Sequence, residues 1–124
     1  MSHRFGPAVR LRSRNEFQIV QQQGRRVSTR FVILLGHPNT LGRDRLGIIA
    51  SRRFGASVAR NRAKRRLREV FRRQDPARQD SRHTLDLVAI PKREMLVAAF
   101  SLVQGDFAAA VDRLRRSRSG HADA

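Results

Sequence analysis

The chain has 124 residues, with 27 Lys and Arg against 10 Asp and Glu, a net charge of +17 and no cysteine. That length supports one core without a separate catalytic domain, and the missing cysteine excludes disulfides, zinc ribbons and thiol catalysis and suits a cytoplasmic protein. The charge opposes folding by self-repulsion unless a polyanion screens it, while the lack of any apolar run of about 18 residues gives no reason to expect a membrane partner.

Residues 1–9 show no periodicity and residues 115–124 are polar and small, so flexible ends are expected around an ordered body of about 10–114. The whole, 1–124, reads as a single domain. Ser13 followed by Glu16 is a capping-box signature, and Phe17 with Val20 gives a short helix its apolar edge, ending near Gly24. A short strand is expected near Val27. Phe31 to Leu35 is a continuous β-prone run closed by the turn-rich GHPNTLGRD, and Leu46 to Ala50 is another. These two are expected to pair as antiparallel neighbours. Gly55 breaks the chain before a helix from about Ser57 to Gln74, which Pro76 should stop. Leu85 to Ile90 reads as the last strand. Leu102 to Leu114, with Val103, Phe107, Val111 and Leu114 at helical spacing, reads as the last helix. The order αβββαβα puts one sheet under the basic helix and the C-terminal helix, a small two-layer α+β sandwich.

The basic helix is the most informative segment. Arg60 to Arg73 reads RNRAKRRLREVFRR, with Glu69 its single acid. At 100° per residue Ala59, Ala63, Leu67, Val70 and Phe71 share an arc of about 120°, a core-facing stripe. Arg62, Lys64, Arg65, Arg66, Arg68, Arg72 and Arg73 cover the remainder. Solvated helix faces ordinarily alternate their charges to form i,i+4 pairs, so a face this cationic calls for a polyanion. Arg52 and Arg53, just after the second apolar run, extend the same surface. Arg60 falls inside the apolar arc, in the first turn, where it can reach beyond the sheet edge.

Residues 45–73, RLGIIASRRFGASVARNRAKRRLREVFRR, resemble the signature region of the bacterial ribonuclease P protein component. There a strand ending in basic residues leads through Gly into an Arg-Asn-Arg helix, and Gly55, Val58, Arg60, Asn61, Arg62, Lys64, Arg65 and Arg68 occupy the matching positions. Arg10, Leu11, Phe17, Phe31, Val32 and the LVAI run of the last strand carry the likeness across nearly the whole ordered body.

The resemblance implies a protein that is not itself the catalyst. Ribonuclease P is an endoribonuclease that removes the 5′ leader of precursor tRNA, with catalysis by an RNA subunit that uses bound magnesium. The protein binds that RNA, one to one, and the leader, and no cofactor is expected on the protein alone. The resemblance also implies a left-handed βαβ crossover, where strand twist by itself predicts a right-handed one. It sets Arg60, Asn61, Arg62, Lys64, Arg65 and Arg68 against the catalytic RNA, where cations beside clustered phosphates would lower the magnesium requirement. It further implies a leader cleft between the first helix and the open sheet face, lined by Phe17, Val32, Leu34 and Ala89. Gln21 and Leu34 stand where relatives have aromatics, so leader should be held more through Arg and apolar contact than through stacking. Read from the residues alone, Phe17, Val32 and Leu34 serve equally well as core, and Asn61 as a local cap.

Cleavage by the protein unaided would need paired acid/base groups or clustered carboxylates. His3, His37, His83 and His121 have no paired spacing, Asp86 stands alone in its strand, and Glu69 sits among arginines that would pair with it. No catalytic residue and no metal ligand set is therefore assigned. The alternatives are a structural RNA-binding protein of ribosomal type, and a DNA-compacting or membrane-active cationic protein. The Arg60-Asn61-Arg62 helix behind Gly55, together with Phe17, argues against the first, and the strand-rich body against the second.

Overall fold

The computed structural model describes residues 9–74 and 83–119. Helix α1 (Arg14–Gln23) starts where expected: Ser13 Oγ accepts the Glu16 N–H at 3.1 Å, and the Glu16 carboxylate accepts the N–H groups of Ser13 and Arg12 at 3.1 and 2.7 Å. Four strands follow or interleave: β1 (Arg25–Ser28), β2 (Val32–Asn39), β3 (Arg45–Ile48) and β4 (Thr84–Pro91). Helix α2 (Ser57–Arg72) joins β3 to β4, and α3 (Phe100–Ser119) closes the chain. The expected stop at Pro76 lies outside the described residues, as do 1–8 and 120–124.

The sheet order is β1-β2-β4-β3, which corrects one expectation. The second and third strands are not antiparallel neighbours: β4 lies between them, antiparallel to β2 and parallel to β3. The reason is burial. β4 is apolar on both faces, with Leu85, Leu87 and Ala89 to one side and Val88 and Ile90 to the other, and a strand of that kind belongs in the interior. Short β3, with Arg45 and Gly47 on one face, takes the edge. The β2 strand also runs on through Gly36–Asn39, where a turn was expected. β1 pairs with it only as far as Gly36, so Pro38 sits on a stretch with one strand neighbour, where a missing N–H is tolerated.

Two cores result from the two faces. Val32 and Leu34 of β2, Leu46 of β3, and Leu85, Leu87 and Ala89 of β4 pack under α2 and α3, against Ala63, Leu67, Val103, Phe107, Val111 and Leu114. On the opposite face α1 sits alone, and Leu11, Val20, Leu35 and Val88 form a smaller cluster edged by Phe17, Ile49 and Ile90. α1 therefore covers only part of its face, leaving sheet open beside it. The last helix also runs further than Leu102 to Leu114. Residues 115–119, expected to be flexible, continue α3, because Arg115 is bound: its guanidinium pairs with buried Asp44 at 3.1 and 3.0 Å and donates to the His83 carbonyl at 2.8 Å.

Candidate nucleic-acid interface

The 3₁₀ turn Arg52–Phe54 feeds α2 through Gly55, whose φ of 154° favours glycine. Phe54 buries as an anchor, leaving Arg52 and Arg53 exposed beside the helix. On α2 itself Asn61, Arg62, Arg65 and Arg68 are exposed, while Arg60 and Lys64 are half-buried. Ala63, Leu67 and Val70 hold the helix to the sheet, as the arc of apolar positions predicts. Arg60 spans this boundary, its guanidinium donating to Ser57 Oγ at 3.3 Å.

One cation on this helix differs from the sequence expectation, and two others pair with Glu69 as expected. Arg66 was grouped with the RNA-facing residues, yet its guanidinium donates to the carbonyls of Met95 and of Ala98, the latter at 2.9 Å, and so clamps α2 to the segment after β4. Arg73 and Arg72 both bind Glu69. Hydrogen bonds first from Arg72 and then from Arg73 hold the Glu69 carboxyl down at about 2, so this lone acid is spent within its own helix.

Glu16, Asp44 and Asp86 are also matched to particular arginines. Asp86 takes both arms of Arg45, at 2.9 Å each, and Arg45 reaches on to Glu16 at 3.2 Å. The backbone N–H groups of Arg12 and Ser13, then Arg45, lower the Glu16 pKa, while the Asp86 hydrogen bonds raise that of Arg45. These carboxylates are engaged by Arg45. Among the described residues no group of three His, Asp or Glu could hold a metal ion. None of Arg52, Arg53, Arg62, Lys64 and Arg65 forms an ion pair with a described residue. Glu16, Asp44, Glu69 and Asp86 thus neutralise arginines other than Arg52, Arg53, Arg62, Lys64 and Arg65, and leave the α2 surface positive.

The expected cleft residues separate onto two faces. Phe17 lies half-buried on the α1 face, its ring over Gly47 of β3. Val32, Leu34 and Ala89 are at most 1% exposed in the core under α2 and α3, and so cannot line a cleft beside α1. The correction is a one-residue phase: side chains alternate along a strand, so the cleft face carries their neighbours. These are Ile33 opposite Ile90 and Leu35 opposite Val88, with Ile49 beyond them. The missed signal was Asp86. A charge in LDLVAI marks the thinly covered face, and Val88 and Ile90 are in phase with it.

Two hollows flank this face. One, of about 250 Å³, wraps the β3 edge: Arg10, Arg12, Phe17 and Gly47 line its α1 side, and Lys64 and Arg68 its α2 side. The other, of about 350 Å³, lies between Ile49, Ile90 and Arg53. The α1 face and the basic helix therefore meet around the sheet edge. A chain of phosphates crossing that edge would meet cations on both sides, with apolar side chains between them for bases. Among the described residues no helix is long and apolar enough to cross a membrane.

Comparison with known proteins identifies the family. The Ribonuclease P family model matches residues 5–115. The ribonuclease P protein component of Thermotoga maritima is 33% identical over 95 residues, covering 77% of this chain and 79% of that protein. That of Chloroflexus aggregans is 37% identical over 99 residues, covering 80% and 72%. Among solved structures, the RNase P protein from Thermotoga maritima superposes with a TM-score of 0.70 at 29% identity, over 86% of this chain and 96% of that one. The Staphylococcus aureus RNase P protein, at 23% identity, shares the fold with a TM-score of 0.68 over 85% and 94%.

Proposed function

Since the chain belongs to the family of ribonuclease P protein components, we propose that it binds the catalytic RNA subunit through α2 and the 5′ leader of precursor tRNA through the α1 face. The observation that carries this reading is the distribution of charge. Arg52, Arg53, Arg62, Lys64 and Arg65 stand together without acid partners among the described residues, while Glu16, Asp44, Glu69 and Asp86 are held by Arg45, Arg115, Arg72 and Arg73. Such a surface binds phosphate whatever the sequence. Asn61, exposed among the arginines, adds a donor and an acceptor able to read a sugar or a base edge.

In this reading the endonucleolytic chemistry and its magnesium belong to the RNA subunit, with one protein per RNA. The protein's part is electrostatic and positional. Its cations reduce repulsion among phosphates crowded at the RNA active site, so that the site assembles at lower magnesium. Phe17, Ile33, Ile49 and Ile90 offer apolar contact to unstacked leader bases, and Arg10, Arg12 and Arg53 hold the leader backbone.

The test is cleavage of precursor tRNA at low magnesium by RNA alone, protein alone and the mixture. The expected result is cutting at the mature 5′ end by the mixture only, with Arg62→Ala and Arg65→Ala together raising the magnesium requirement at an unchanged melting temperature. Cutting by protein alone would place an active site in this chain. No gain over RNA alone would leave a structural RNA binder.

A further inference from the structure

On the far side of α2 from the leader face, Arg62, Arg65, Arg66 and Glu69 enclose a hollow of about 350 Å³ with Phe100, the first residue of α3. Arg65 and Arg66 each stand three or four residues from both Arg62 and Glu69, so the four share a face. Phe100 is half-buried, and two guanidinium carbons lie near its ring centroid, those of Arg73 at 5.3 Å and Arg66 at 5.9 Å. Both of these arginines are fixed: Arg66 by the Met95 and Ala98 carbonyls, Arg73 by Glu69. Arg62 and Arg65, at the mouth, make no ion pair with a described residue.

We propose that this hollow is a binding site for one unstacked nucleobase of the RNA subunit, separate from the leader cleft. Its walls are an aromatic ring, aliphatic arginine stems and guanidinium planes already locked by hydrogen bonds, surfaces on which bases stack. Locking them beforehand removes ordering cost from binding. The exposed cations at the mouth are placed for the phosphates on either side of the inserted base. Glu69 does not repel them, because Arg72 and Arg73 neutralise it. The site rests on the proposed RNA partnership and gives it a base contact that phosphate binding lacks.

Affinity of the full chain for the catalytic RNA, measured across a salt series, tests the proposal. Phe100→Leu keeps apolar packing but removes the π-face. It should weaken binding by roughly fivefold or more at every salt concentration, with an unchanged log–log slope, because no phosphate contact is lost. Phe100→Tyr should bind as the native chain does. Equal affinity for the leucine variant, or a changed salt slope, overturns the base site. Because Phe100 also touches the core, a second measurement is independent of that packing: p-benzoylphenylalanine at position 100 should photocrosslink to one unpaired nucleotide. Crosslinks absent, or scattered along duplex regions, overturn the proposal. A native chain that fails to bind the RNA would instead overturn the partnership itself.

Discussion

A β-carbon added at Gly47 would lie 2.4 Å from Phe17 Cζ and 2.6 Å from Cε2, with Leu11 Cβ at 3.1 Å. The ring of Phe17 rests on bare β3 backbone, and that seat decides how much of it faces the cleft. Gly47→Ala is expected to cost ~1–3 kcal/mol of stability by overpacking, and to reduce the preference for leader-bearing over leaderless RNA by displacing the ring. Urea melts and paired binding measurements read the two effects. In a Phe17→Ala background most of both should vanish, since the clash has lost its partner; full-sized losses there would show that Gly47 acts elsewhere. The aromatic was legible in the sequence as a cleft-or-core residue, and it lies half-buried, packed on the sheet with part of the ring exposed. Its glycine partner was not, because a contact between a helix and a distant edge strand leaves no local pattern.

At the scale of elements, local signals were the most readable. The capping box at Ser13 and Glu16, the β-prone runs, and the apolar arc of α2 each gave the right element within a few residues. Pairing was harder. Nothing in the runs Phe31 to Leu35 and Leu46 to Ala50 announces that β4, far along the chain, separates them; only its double-sided apolar pattern hints at a central place. The phase of the cleft residues was lost for a related reason, since a continuous apolar strand does not say which face is which. The continuation of α3 past Leu114 was unreadable because Arg115 is held by a tertiary ion pair. Asp44 is 7% exposed and also accepts the Leu85 N–H at 2.9 Å, so Arg115→Ala would strand a buried carboxylate. A loss of ~3–5 kcal/mol is expected, seen as a lower denaturant midpoint. A loss below about 0.5 kcal/mol would mean that the pair is not formed in solution.

Across the whole molecule the same charges act in two directions. A net +17 on 124 residues repels itself most strongly around α2, where Arg52, Arg53, Arg62, Lys64 and Arg65 have no acid partner among the described residues, and this repulsion falls as the Debye length shortens to ~10 Å near 0.1 M salt. The ion pairs that hold the fold together are better shielded from added salt. Arg115 and Asp44 side chains are 13% and 8% exposed, and Arg45 and Asp86 18% and 13%, so their attraction is screened less than the surface repulsion is. Raising salt at fixed pH should therefore raise the melting temperature of the free protein by a few degrees. The affinity for the catalytic RNA should fall steeply over the same range through counterion release. Calorimetry of the protein and filter binding of the complex, carried through one salt series, measure the pair of responses. A melting temperature that fell with salt would show that the ion pairs, rather than the repulsion on α2, dominate the salt response of stability. The RNA would then bring affinity without relieving strain in the fold. Opposite signs in the two experiments would mean that the partner's phosphates replace the screening ions, so that binding RNA and stabilising the protein are one electrostatic event.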